Sequence, residues 1–328
     1  MDHLIVIAFP DFYIQYHQVW HRVVWKFLGF TEGNTIRAGH NCAILVDGNT
    51  GNLQYFDFGR YDVPDGYGRA RCDQSDPQLL LKANAILVDG QITNLKAIME
   101  EFYHDDSIHH SAGPMFYKVL SNVNKADALD FVRGTQARGF VDYDIFRKGA
   151  LNCSRYIGHL VKSVLPKNRL TTYLKHICPS PTPMDTVINA DVKTPLSKYD
   201  GEVFSEQPFS AWLGIKYYLK SRGAFHNDTT KVEMPDAHWI GSKAIGSYYT
   251  LVALLGQEKT FRIKKFSAKG VQVWVREFQS DQVGIDLSED YSLQLGSRPE
   301  ELVVEQDGKE YRLVSDMYKL SSPQIDTD

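Results

Sequence analysis

Cysteine is scarce: the 328-residue chain holds four, Cys42, Cys72, Cys153 and Cys178, and no two form a CxxC pair. That spacing excludes a zinc ribbon and a disulfide-stapled scaffold, and it fits a reducing compartment in which any of the four stays a free thiol. Long hydrophobic runs are missing too. The opening MDHLIVIAFP has an acidic residue at position 2 and about six apolar residues before Pro10, too few for a secretory signal core or a membrane span. It reads as a first strand in a cytoplasmic protein with no membrane span. Charge of one sign is not in excess either, since the net charge is −4, so neither a disordered polyelectrolyte nor a nucleic-acid binder is expected. No motif calls for a cofactor.

What is present is ordinary globular composition, 43% hydrophobic and 23% charged, in a chain long enough for two domains with a core each. Aromatics reach 12%, including 18 Tyr and 17 Phe, which suits aromatic-rich sheets and a cleft for something flat, apolar or extended. The expected class is α+β. YIQYHQVWHRVVWKFLGF carries Val19, Trp20, Val23, Val24, Phe27 and Leu28 at helical spacing, with Gly29 as its stop. Two strands joined through Gly48-Asn49-Thr50-Gly51, Cys42 to Asp47 and Asn52 to Phe58, make a hairpin. The hexapeptide AILVDG occurs at Ala43 to Gly48 and again at Ala85 to Gly90, but the flanks differ, so both copies read as buried strands ending in an Asp-Gly turn rather than as a duplication. TNLKAIMEEFYH, GPMFYKVLSNV and NKADALDFVRGTQARG read as helices. A stretch rich in Pro, Thr, Asp and Ser, 181–206, reads as a linker between a domain over 1–180 and a smaller, mostly antiparallel β domain over 207–328. In that last part KTFRIKKFSAKGVQVWVREFQ and EELVVEQDGKEYRLVSDMYKL both alternate around a Gly-centred turn.

The chemistry points to two separated segments. In ALNCSRYIGHLVKSVLP, Asn152 is a suitable N-cap, Pro166 a stop, and Cys153, Tyr156, Ile157, Leu160, Val161 and Val164 share one helical face. Cys153 therefore sits in the first turn, where unpaired amides and the helix dipole favour a thiolate and can hold an oxyanion. The bland reading is a buried thiol that only fills the core. In GHNCAILVDGNTGNLQYFDFG, a turn at Asn49-Thr50 sets Asp47 opposite Asn52, which puts residues 40, 42, 44 and 46 on one face with 53, 55, 57 and 59. His40 and Asp57 become diagonal neighbours, an imidazole at a strand end with a carboxylate behind it.

These segments resemble the circularly permuted papain-like branch of the NlpC-type cysteine hydrolase superfamily, in which the histidine strand precedes the cysteine helix. GHNCAILVD looks like the histidine strand, and NCSRYIGHLV is similar to the NC-x-x-(F/Y)-(I/V) nucleophile helix shared with lecithin retinol acyltransferase-like proteins. A bacterial two-domain family with an AGH strand, a YFDFGRY strand and a second β-rich domain also resembles this chain. The resemblance covers about residues 1–180 and implies a permuted papain-like domain with Cys153 as nucleophile, His40 as base and Asp57 as orienter; Asn52 and Tyr55 remain alternatives for the third role. It implies a cysteine hydrolase of amidase or peptidase type acting on an amide, ester or thioester. The alternatives are an inactive binding protein on the same fold and a lipid acyltransferase. The partner is accordingly an unknown peptide, amide or lipid substrate. With no secretion signal, peptidoglycan is disfavoured unless a dedicated secretion system exports the protein.

The loop after Asp57, with Arg60, Tyr61, Tyr67, Arg69 and Arg71, reads either as an exposed hairpin connection or as a cleft rim whose arginines suit a carboxylate or phosphate, with Arg60, Tyr61 and Arg69 as the substrate-binding candidates. A metal is not expected. His17 and His21 lie four apart but lack the HExxH glutamate, and His104, Asp105, Asp106, His109 and His110 fall in a polar break where side chains are solvated. His159 belongs on the outer helix face, and His238 and Trp239 read as interface packing.

Overall fold

The computed structural model describes residues 1–11, 13–15, 31–32, 35–109, 113–145, 147–210, 212–220, 232–241, 246–298 and 300–315. The expected helix around His17 and His21, and His110, lie outside the described residues.

Eight strands build the first sheet: β1 (Asp2–Phe9), β2 (His40–Val46), β3 (Leu53–Gly59), β4 (Tyr67–Arg71), β5 (Met115–Val123), β6 (Val141–Asp142), β7 (Leu196–Tyr199) and β8 (Phe204–Gln207). Their order is β6-β4-β3-β2-β1-β5-β7-β8, with every neighbouring pair antiparallel. The central strands are buried on both faces, which is why β1 reads as a continuous apolar run rather than an alternation. Leu4, Val6 and Ala8 enter one core with Ala43, Leu45, Phe56 and Phe58. Ile5, Ile7 and Phe9 enter the other with Cys42, Ile44, Val46 and Tyr55. The second core is closed by α1 (Leu95–His104) through Ile98, Met99 and Phe102.

The first core is closed by α2 (Lys125–Gln136), α3 (Cys153–Val164), α4 (Arg169–His176) and α5 (Pro183–Ala190). α3 runs against β2 and β3, and its face of Tyr156, Ile157, Leu160 and Val161 is wholly buried. Ile157, Leu160 and Val161 each contribute about 1.5–3 kcal/mol relative to exposure, so the helix is anchored independently of any chemistry at its first residue.

Three segments differ from the sequence expectation. GPMFYKVLSNV is not a helix: Met115–Val123 is β5, paired with β1 from Ala8↔Phe116 to Asp2↔Val123. Being covered on both faces, it shows no two-residue period to oppose a helical reading. The stretch expected to be a linker instead carries α5, opened by a Thr182–Asp185 capping box, and the strands β7 and β8, which extend the first sheet. A further helix, α6 (Leu213–Lys220), packs on α5. The second AILVDG makes only a two-residue ladder, Leu87–Val88 with Gln91–Ile92, turned at Asp89 and Gly90 with positive φ of 50° and 73°. It serves as an exposed hairpin, while the first copy is a core strand.

The C-terminal domain is an antiparallel sheet of β9 (His238–Gly241), β10 (Gly246–Ala253), β11 (Thr260–Phe266), β12 (Gln272–Ser280), β13 (Ser292–Leu295), β14 (Glu301–Gln306) and β15 (Lys309–Val314). Its order is β9-β10-β11-β12-β15-β14-β13, and the two edge strands approach each other so that the sheet nearly closes on itself. Ile263, Val304 and Leu313 form its fully buried centre. The fold is thus α+β, with an α/β-layered unit followed by a separate β unit.

Candidate active site

Three elements converge at one end of the first sheet. β2 and β3 pair in the register that the turn implies, Val46↔Leu53 through Cys42↔Asp57. His40 starts β2 directly after Gly39, whose φ of 69° and contact with Pro183 Cγ at 2.9 Å from an added Cβ leave no room for a side chain. Across the sheet end, α3 begins at Cys153. Asn152 caps it with φ −137° and ψ 176°, and its Oδ1 accepts from the Arg155 N–H at 2.9 Å.

His40 Nε2 lies 3.3 Å from Asp57 Oδ2, and the Cys153 thiol is close enough to the imidazole for each to shift the other's titration. Burial disfavours charge on His40, but the bonds to Asp57 and Cys153 outweigh it and raise its pKa to about 9. Burial likewise pushes the Cys153 thiol up; the His40 bond, its charge and the Asn41 backbone N–H more than offset this, so the thiol falls below its usual value. The two directions agree. Both favour moving the proton from the thiol to the imidazole, and Cys153 itself is buried, at 7% exposure.

Of the three residues left open for the third role, Asp57 is the one bonded to His40. Tyr55 donates its hydroxyl to Asp57 Oδ2 at 3.0 Å, and Asn52 is exposed at the far turn. The loop residues take unequal places. Tyr61 is half-buried, its ring edge-on to His40 at 6.4 Å. The Arg60 guanidinium lies 5.6 Å from the Tyr143 ring. Arg69 is not at a rim: it is 5% exposed and fully engaged, with two bonds of 2.6 Å to Asp76 and one of 2.7 Å to the Tyr61 carbonyl. The expectation failed there because loop length did not fix the register of β4.

Two contributors take parts that the sequence reading did not give them: Arg71 was expected only at the cleft rim, and Tyr143 was not singled out. Arg71 bonds Asp57 through Nε–Oδ1 at 2.9 Å and Nη2–Oδ2 at 2.6 Å, and its Cζ lies 3.3 Å from the Tyr61 ring centroid. Arg71 opposes Asp57 in the β3–β4 pairing, so an inward arginine two residues from Arg69 was the available signal. Tyr143 sits beside Cys153, where burial and the charge of that neighbour push its phenol up, and its ring stacks on Phe58 at 6.0 Å. Neighbouring thiols contrast with Cys153, because burial pushes Cys42 and Cys72 above the usual range.

No group of three or more His, Cys, Asp or Glu among the described residues is placed to hold a metal, and no described helix is long and apolar enough to cross a membrane. His109, from the expected polar cluster, is buried and bonded to the Phe102 and Tyr103 carbonyls at 3.0 Å, where it closes the end of α1.

The family model for type VI secretion system effector TseH-like proteins matches residues 4–168, half of the chain and all of the Cys153, His40 and Asp57 geometry. The chain belongs to this family. Residues 237–316 match a second model, the DUF6695 C-terminal domain. The crystal structure of the type VI secretion system effector TseH is similar at 20% identity over 63% of this chain and 97% of that one, with a TM-score of 0.44. Comparison with curated proteins gave no match. The TseH-like segment ends within the turn after α3, so it covers the helix layer around Cys153 but not α4, α5 or the β unit.

Proposed function

We propose that this TseH-like chain is a cysteine hydrolase of amidase or peptidase type on a permuted papain-like fold. The observation that carries the reading is the Cys153 thiol at the start of α3 beside His40, whose Nε2 lies 3.3 Å from Asp57 Oδ2. The thiolate attacks the carbonyl carbon of an amide, and the tetrahedral oxyanion is held by the Cys153 N–H and the Tyr143 hydroxyl. The His40 imidazolium gives its proton to the departing amine, leaving a thioester. A water then loses a proton to His40, attacks the thioester, and the acid and free thiol are released. Another acceptor in place of water would make the second half an acyl transfer. Delivery as a type VI secretion effector supplies the export route that brings peptidoglycan peptides back as a substrate class.

Labelling with iodoacetamide at pH 6 tests the thiolate. Cys153 is expected to react at least tenfold faster than the half-buried Cys178, while the inward Cys42 and Cys72 stay unlabelled. A thiol-directed activity probe should then mark the wild type and not Cys153→Ala. Equal labelling of Cys153 and Cys178 would remove the basis for the reading.

A further inference from the structure

We propose that Lys265, on the C-terminal β unit, is a positioning residue for the catalytic site, acting through Asp62 on the Tyr61 wall that braces Arg71 and His40. The inference rests on the reading of Cys153, His40 and Asp57 as catalytic. Lys265 is 5% exposed on β11, between Tyr249 of β10 and Trp274 of β12, and its Nζ donates to Asp62 Oδ2. Asp62 is itself buried, and its φ of 48° is a conformation that a residue other than glycine holds only when its surroundings enforce it. Those surroundings are Lys265, the Ser247 hydroxyl and the Arg69 Nη2 at 3.7 Å, so two of the three come from the C-terminal unit. Burial alone would push the Asp62 carboxyl up; the two cations hold it below the usual range, ionised and able to pull on both sides.

Asp62 directly follows Tyr61, and the Tyr61 backbone is pinned by Arg69 at its carbonyl. The Tyr61 ring has no slack. It lies 3.3 Å from Arg71 Cζ, edge-on to His40, and a Cβ at Gly59 would come within 2.3 Å of its Cε2. Arg71 in turn holds Asp57, and Asp57 holds His40. The far end of the same β3–β4 region is held from the same side, because Arg276 of β12 donates to the Ser75 carbonyl at 2.9 Å, next to the Asp76 that grips Arg69. Two cations of the second unit therefore fasten both flanks of the strand that carries Arg71. An apolar contact would join two units at lower desolvation cost than buried ion pairs, so their location behind the site favours a role in geometry over simple adhesion.

The test uses the full chain with Lys265→Met and Lys265→Arg, read by hydrogen exchange across 60–66 and by the pH–rate curve of Cys153 alkylation. The groups facing that thiol are His40, Tyr143 and Ser154, with Asp57, Arg71, Tyr61 and Cys42 behind them. Lys265→Met is expected to raise exchange at 60–66 at least tenfold, slow Cys153 alkylation at pH 6 at least tenfold and move the curve to higher pH, with Cys178 unaffected. Lys265→Arg should restore both. A folded Lys265→Met whose exchange increase is confined to the C-terminal strands and whose Cys153 curve is unchanged overturns the proposal. Should Lys265→Met fail to fold, Lys265→Met with Asp62→Asn removes the stranded charge; a wild-type curve in that variant overturns the proposal and a displaced one supports it. If the wild-type Cys153 reacts no faster than Cys178, the hydrolase reading fails by itself, and the exchange measurement alone decides whether Lys265 holds the Tyr61 loop.

Discussion

Asp57 and Arg71 face each other across β3 and β4 with two bonds of 2.9 and 2.6 Å, and both side chains are buried. The carboxylate behind His40 is thus already neutralised by a guanidinium. Burial pushes Asp57 up, yet Arg71 and His40 hold it far below the usual carboxylate range, so it cannot take a proton from the imidazole during a turnover. On the proposed reading its part is to orient His40 and, together with the Cys153 thiol, to favour the charged imidazole.

Removing Asp57 should therefore be costly in two separate ways. Asp57→Asn leaves Arg71 charged, buried and without its counter-ion, a situation that costs about 3–5 kcal/mol in comparable buried pairs. Urea unfolding should show that loss, and Asp57→Asn with Arg71→Met should recover part of it. A single-variant loss below about 1 kcal/mol would mean that water reaches the pair.

The pH dependence follows from the two shifts. Cys153 is lowered and His40 raised to about 9, so both are charged between those limits. Acylation should climb as pH rises through the thiol's lowered pKa, and decline as pH rises through about 9, when His40 no longer carries the proton that the leaving amine needs. Cys153→Ala removes one of the groups holding the imidazole charged, so the His40 ring signals in NMR should titrate at lower pH than in the wild type. A midpoint that does not move would show that Asp57 alone sets the His40 charge.

Much of the pair was legible because both partners sit next to strong local signals. The Asn49-Thr50 turn fixes the β2–β3 register, and one register suffices to bring His40 beside Asp57. Asn152 and Pro166 bracket α3, so Cys153 is assigned to a first turn without any tertiary knowledge. The missed parts depend on contacts between distant segments. Met115–Val123 is a strand because β1 and β7 both pair with it, which no window of the segment itself reveals. Residues 181–206 look like a linker from their Pro and Thr content, yet Thr182 and Pro183 start a helix whose Met184, Val187 and Ile188 close the first core. Arg69 and Arg71 occupy the same face of one strand, and only the conformation of 60–66 determines which of them meets Asp57.

Asn152 gives a way to separate helix stability from thiol activation. Asn152→Ala leaves the Arg155 N–H without its cap and loses the bond from Nδ2 to Ser180 Oγ at 2.9 Å, at a cost of about 1 kcal/mol. Asn152→Asp keeps an acceptor for that N–H but puts a carboxylate beside Cys153, which disfavours the thiolate. Thermal unfolding should rank Asn152→Asp near the wild type and Asn152→Ala below it. Alkylation of Cys153 at pH 6 should be slower in Asn152→Asp than in Asn152→Ala, and the opposite order would contradict a thiolate at this helix start.

Gly59 tests whether the Tyr61 wall is as tight as its contacts imply. An added methyl would meet Tyr61 Cε2 at 2.3 Å and Cζ at 3.0 Å, and the ring has the Arg71 guanidinium against its face, so it cannot swing aside without releasing Arg71. Overpacking of this kind costs about 1–3 kcal/mol. Gly59→Ala should lose that much in urea unfolding and should also slow Cys153 alkylation, because the displaced ring disturbs the Arg71–Asp57–His40 line. Pairing it with Tyr61→Leu makes room for the methyl and should return the stability but not the full alkylation rate. If stability and rate recover together, Tyr61 acts as filler; recovery of stability alone identifies its ring as the part that keeps Arg71 and His40 aligned.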